Sequence, residues 1–141
     1  MNGYLLDTNV LSELVRPEPS PTVVHWMEQN RESLYTSAIT IAELSYGIEK
    51  LAIGKTQDRL RAWFEQVLSE WGERILRFDT RVARTWGRLE AALRRQGTRV
   101  PVVDSYIAAV ALSHSLAVAT RNEIDFKRAG LRTVNPFALE I

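Results

Sequence analysis

Cysteine is absent from this 141-residue chain, histidine occurs twice and lysine three times. The first absence excludes a disulfide framework, a cysteine-based zinc site and a thiol nucleophile, and it fits a reducing, cytoplasmic setting. His25 and His114 lie far apart with no ligand spacing between them, so neither is assigned a catalytic role. Long apolar runs are also lacking. The longest, Tyr106 to Leu112, is far short of the ~20 residues a membrane helix needs, and the N-terminus lacks the basic-then-apolar pattern of a secretory signal. Nor does one sign of charge dominate: 18 basic and 17 acidic residues leave a formal net charge of +1, which does not announce a nucleic-acid partner. With no repeat, linker or low-complexity tract, the chain reads as one domain over residues 1–141.

What is present is more informative. Tyr4-Leu5-Leu6 reads as a buried strand that stops abruptly on Asp7, Thr8 and Asn9 before a helix-spaced segment to Val15. Ser20-Pro21 marks the start of a second helix, because proline is tolerated at the first helical position. Further strands are expected at Leu34 to Ser37, Ile75 to Phe78, Leu116 to Thr120 and Leu131 to Val134. Helices are expected from Thr40 to about Ala52, Gln57 to Glu70, Thr80 to Gln96 and Ser105 to Ser113, with Arg121 to Gly130 as loop containing one turn. Strands alternating with helices of this length indicate an α/β fold with a parallel sheet covered on both faces.

Four acids fall at element junctions: Asp7, Glu43, Asp104 and Asp125, at intervals of 36, 61 and 21 residues. Each has an ordinary structural explanation. Asp7 or Thr8 can cap the first helix, Glu43 can complete a capping box with Thr40, Asp104 can be an N-cap and Asp125 a turn residue beside a buried Phe126. Topology favours a joint explanation, since strand-to-helix junctions of a parallel sheet share one edge, where α/β proteins bind ligands. Carboxylates ~4 Å apart repel by about 4 kcal/mol at an effective dielectric near 20, so such a cluster either takes up protons or holds a cation. Oxygen donors without histidine or cysteine select a hard ion, Mg²⁺ or Mn²⁺. The chemistry expected of that set is metal-assisted phosphodiester hydrolysis, with a carboxylate orienting the attacking water.

The motifs Leu5-Leu6-Asp7-Thr8-Asn9, Ser37-Ala38-Ile39-Thr40-Ile41-Ala42-Glu43-Leu44 with Gly47, Asp104-Ser105-Tyr106-Ile107-Ala108-Ala109, Ala119-Thr120-Arg121-Asn122 and Asn135-Pro136-Phe137, in this order, give the chain its family likeness. It resembles PIN-domain ribonucleases over essentially its whole length, specifically the toxins of VapBC-type toxin-antitoxin pairs, including FitB-like members. The resemblance implies a PIN-like, Rossmann-like fold with Asp7, Glu43 and Asp104 as metal-site carboxylates, Thr8 and Thr120 supporting them and Asn9 bracing the first turn. Members differ in the fourth acid: some carry Asp where this chain has Asn122, others an acid just before Phe, as Asp125 stands here. The resemblance further implies Mg²⁺ dependence, homodimerisation or a larger assembly with the antitoxin, inhibition by a small cognate VapB- or FitA-like antitoxin, and cleavage of structured RNA, often tRNA.

Two rivals remain. A haloacid-dehalogenase-type phosphatase would use Asp7 as a covalent nucleophile, but its usual second Asp is replaced by Asn9, and no lysine other than Lys50, Lys55 and Lys127 is available. A catalytically inactive PIN-fold interaction domain would tolerate loss of Asp7. Ser105 lacks the glycine-rich elbow of a serine hydrolase, and Trp26, Trp63, Trp71 and Trp86 at helical spacing read as core or interface. Of the 18 basic residues 15 are arginine, and Arg81, Arg84, Arg88 and Arg95 share one helix face. That stripe is either a surface that tracks RNA phosphates or a solvated face paired with acids such as Glu90. Charge reversal at Arg84 and Arg88 is expected to weaken RNA binding more at low salt than at high; equal binding by wild type and variant at both salts would reduce the stripe to surface.

Overall fold

The computed structural model describes residues 2–139, so the ends of the 1–141 span lie outside it. Five parallel strands form the sheet: β1 (Tyr4–Leu6), β2 (Leu34–Ser37), β3 (Ile75–Leu76), β4 (Ala117–Ala119) and β5 (Thr133–Val134). Their order is β3-β2-β1-β4-β5, which puts β1 at the centre. Leu5 lies opposite Tyr35 on one side and Val118 on the other. The chain steps from β1 outward to β2 and β3, then returns to lay β4 against the opposite side of β1. The crevice beyond the ends of β1 and β4 is therefore a topological switch point.

The helices are α1 (Thr8–Glu13), α2 (Pro21–Gln29), α3 (Ala38–Glu49), α4 (Lys55–Trp71), α5 (Thr80–Arg95), α6 (Val102–Ser113) and α7 (Glu123–Arg128). Alternation along the strands builds two cores. Leu5 and Val118 face Ile107, Val110 and Phe126 on one side; Leu6 and Ala119 face Val10, Trp26, Leu44 and Val67 on the other. The run Ala108-Ala109-Val110-Ala111 is wholly buried, which fits a helix wedged between the sheet and α5.

Several local expectations change. The strand read at Ile75 to Phe78 shrinks to two residues. The third helix begins at Ala38 and stops at Glu49; Ser37 is its N-cap, its hydroxyl accepting the Thr40 N–H at 3.2 Å. Residues 123–128, in a stretch expected as loop with one turn, form the six-residue α7, anchored by the fully buried Phe126. Gly97 does end α5 as expected: with φ +72° it lets the Thr98 N–H return to the Leu93 carbonyl at 2.9 Å.

The end of α3 is closed by a residue that periodicity alone does not single out. Gln57, 2% exposed, donates from Nε2 to the carbonyls of Ile48 and Leu51, each at 3.1 Å. The Ile48 carbonyl also accepts the Leu51 N–H at 3.1 Å, so Gln57 adds a second donor there and ties the chain beyond α3 back to its last turn. Gln57→Ala is expected to cost about 1–2 kcal/mol, read as a lower urea midpoint at unchanged m-value. An unaltered midpoint would show that the cap contributes nothing.

Candidate metal and catalytic site

Asp7 is the first residue beyond the central strand and is 5% exposed. Its Oδ1 accepts the Thr8 N–H at 2.8 Å, while Oδ2 accepts the Thr120 hydroxyl at 2.8 Å and Asn9 Nδ2 at 3.3 Å. Thr120 directly follows β4, so its bond to Asp7 spans the switch point. The same hydroxyl accepts the Asn122 N–H at 3.0 Å, which fixes its proton toward the carboxylate. Burial pushes the Asp7 carboxyl above the usual range; the bonds from Thr120 and Thr8 pull it back, and the Glu43 charge adds to the rise. Capping and site formation are thus one arrangement, with one carboxylate oxygen serving the helix and the other facing β4.

Glu43 is not the closing acid of a capping box. With Ser37 as the cap, Glu43 falls in the second turn of α3, and its Oε1 accepts the Thr8 hydroxyl at 2.6 Å. The fully buried Thr40 hydroxyl stands 3.3 Å from the same Thr8 oxygen. Thr8 has one proton to give, and the nearer, charged acceptor takes it.

Asp104 is the third residue of α6, whose N-cap is Pro101, so it is not a cap either. Its carboxyl is pushed up to about 6, first by burial, then by the charges of Asp7, Asp125 and Glu43 and by a hydrogen bond with Asp125. The structure therefore brings all four acids into one field. Asp125, in the first turn of α7, also lies 3.9 Å from Arg128. Asn122 enters through its main chain, leaving Asp125 as the acid that joins Asp104.

Among the described residues no three Asp, Glu, His or Cys side chains close into a cage of their own. The donor set still fits a hard divalent cation. It is all oxygen, Asp104 is only half-buried, and repulsion among the four acids is what a positive charge relieves. Such an ion takes one or two carboxylates and keeps much of its water.

The remaining candidates separate cleanly. Arg81, Arg84, Arg88 and Arg95 are exposed on α5 without an ion pair among the described residues, whereas Glu90 pairs with Arg94 at 2.9 Å. Trp26, Trp63 and Trp71 pack into the core formed with Leu6 and Leu44, and Trp86 packs on the other, donating from Nε1 to Ser105 Oγ at 2.9 Å. Ser105 is fully buried and its hydroxyl donates to the Val102 carbonyl, so it serves no nucleophilic role. A groove of about 510 Å³ lined by Leu14, Val24, Met27 and Trp71 holds none of the four acids. What sequence reading missed is Thr40 as a partner of Thr8; the signal was its i,i+3 spacing to Glu43, which places both on one helix face.

The chain is 42% identical over 135 residues to Toxin FitB of Neisseria gonorrhoeae, covering 94% of this chain and 97% of that protein. It is 41% identical over 138 residues to VapC ribonuclease Y4jK of Sinorhizobium fredii, covering 94% and 96%. The crystal structure of FitAcB from Neisseria gonorrhoeae superposes with a TM-score of 0.89 at 41% identity, over 99% of this chain and all of that one. Residues 4–131 match the model of the PIN domain, and the chain belongs to the PIN-domain family.

Proposed function

We propose that this chain is the toxin of a toxin-antitoxin pair, acting as a divalent-metal-dependent endoribonuclease through Asp7, Glu43, Asp104 and Asp125. The observation that carries the reading is Asp7 and Glu43 joined through Thr8 at the switch point of the sheet, with the Asp104 carboxyl pushed up by burial and by the charges of Asp7, Asp125 and Glu43. The names ribonuclease and toxin carried by relatives at 41 and 42% identity support it.

Asp7 and Asp104 are the residues that would hold the cation, Mg²⁺ or Mn²⁺, with Asp125 beside them. When bound, that ion supplies charge neutralisation at the scissile phosphate and a more acidic water. Glu43 orients the attacking water; the Thr8 hydroxyl at 2.6 Å fixes its rotamer and leaves its second oxygen without a hydrogen-bond donor among the described residues. Thr120 and Asn9 hold Asp7 so that its charge points into the crevice rather than toward bulk solvent. The phosphatase alternative is disfavoured because relatives at 41 and 42% identity are named ribonuclease and toxin. A small antitoxin that places a cationic side chain among these acids would silence the site by occupying the position of the metal.

Asp7→Asn keeps the side chain's size and removes its charge. It is expected to reduce Mg²⁺-dependent RNA cleavage at least about 100-fold, and EDTA should abolish wild-type cleavage. Equal activity in wild type and variant would overturn the reading.

The Asp104 carboxyl also dictates a pH dependence. Its folded-state value, about 6, lies above its ordinary 3.8, so between those limits the folded chain binds more protons than the unfolded one. Metal-free stability therefore falls as pH rises through that window. In EDTA, Tm should drop from pH 5 to pH 7 by more in wild type than in Asp104→Asn, and Mg²⁺ should raise Tm more at pH 7 than at pH 5. A Mg²⁺ effect independent of pH would separate the cation from this carboxyl.

A further inference from the structure

Arg121 follows directly on Thr120, and its main chain is tied to the acidic site. Its N–H donates to Asn9 Oδ1 at 3.1 Å, while Asn9 Nδ2 reaches Asp7 Oδ2 at 3.3 Å. Its side chain takes a different course. The guanidinium carbon lies 3.8 Å from the centroid of the Phe137 ring. Phe137 is itself fixed, its N–H donating to Asn135 Oδ1 at 3.0 Å and its carbonyl accepting the Thr22 hydroxyl at 3.4 Å.

A long cationic side chain whose main chain adjoins the acidic site is expected to pair with a carboxylate there, because charge-assisted, bidentate Arg–carboxylate pairs are strong. Among the described residues Arg121 forms no such pair. The charges that act on Asp7 and Asp104 are those of other acids, with no cation offsetting them. The aromatic face holds the exposed cation at the rim. A guanidinium stacked on a ring keeps its N–H donors in the plane, turned to solvent and matched to phosphate oxygens.

We propose that Arg121 is a substrate-positioning residue that binds a backbone phosphate of single-stranded RNA flanking the one cleaved, and that Phe137 keeps its guanidinium out of the carboxylate pocket. The assignment rests on the nuclease reading for the identity of the polyanion. It differs from the α5 stripe in lying one residue from the site, so it sets the register of the strand against the reacting atoms and does more than add affinity.

The test uses the antitoxin-free full chain and a fluorescent single-stranded oligoribonucleotide, first in EDTA, where binding needs no turnover. Arg121→Ala should flatten the slope of log K against log salt by about 0.7, one phosphate contact on a single strand. Arg121→Lys should restore most of that slope, a rescue that a merely structural role does not produce. With Mg²⁺, Arg121→Ala should raise KM about tenfold while kcat moves less than about threefold, as expected for uniform binding. Phe137→Leu should lower kcat by letting the guanidinium enter the pocket, and that loss should vanish in the Arg121→Ala background. Unchanged slope and KM in Arg121→Ala, with wild type cleaving normally, overturn the assignment and leave the nuclease reading intact. Wild type that binds with the Arg121-dependent slope and never cleaves supports the phosphate contact and overturns the nuclease reading. Wild type that neither binds nor cleaves RNA overturns both.

Discussion

A carboxylate that is 5% exposed at the end of the central strand is the constraint on which the rest depends. Isolated, a buried charge of this kind either neutralises or unfolds its surroundings. Asp7 is kept by three donors drawn from both sides of the switch point: the Thr8 amide and Asn9 amide group from its own turn, and the Thr120 hydroxyl from the end of β4. Two of these donors are positioned by further contacts, Thr120 by the Asn122 N–H and Asn9 by the Arg121 N–H that its side-chain carbonyl oxygen accepts. The parallel pairing of Leu6 with Ala119 thus sets the site as much as the core, because it fixes the height at which Asp7 and Thr120 meet.

The other three acids reach this point from helices rather than strands, and each helix is held close to the site. Ser37 caps α3 at the end of β2, which turns Glu43 toward Thr8. The Trp86–Ser105–Val102 chain of hydrogen bonds pins the first turn of α6, where the helix dipole favours the negative charge of Asp104. Phe126 buries the middle of α7 and sets Asp125 beside Asp104. Those local anchors do not remove the repulsion. They hold the acids against it, and the Asp104 carboxyl is raised first by its own burial and then by the charges of Asp7, Asp125 and Glu43.

Much of this was legible in the chain. The abrupt change from Tyr4-Leu5-Leu6 to Asp7-Thr8-Asn9 marks a strand end, and alternation with helical periodicity marks the α/β class. The residues that escaped did so for physical reasons. Ser37 and Thr40 are both competent caps three residues apart, and the choice between them depends on where β2 stops, which a four-residue strand does not announce. Short α7 carries one buried residue and five others of mixed polarity, too few for a helical period to emerge. Two-residue β3 exists because Thr36 and Ser37 offer it a pairing edge, a tertiary cause invisible in its own residues. Convergence of the acids followed from topology, but their separate bonds to Thr8, Thr120 and one another required coordinates.

Control of such a site follows from the same electrostatics. Four acids that repel one another bind whichever cation is presented, so activity depends on which cation arrives and which is kept away. A basic side chain lodged among the acids would hold the site permanently off; Arg121, whose main chain adjoins the site, is stacked on Phe137 instead. Arg128 stands 3.9 Å from Asp125, at the pocket's margin, and is largely exposed, where water and salt weaken its pull. On the toxin reading proposed above, the charge that silences the site is one a second molecule brings, because Arg121 is stacked on Phe137 and Arg128 is exposed at the margin.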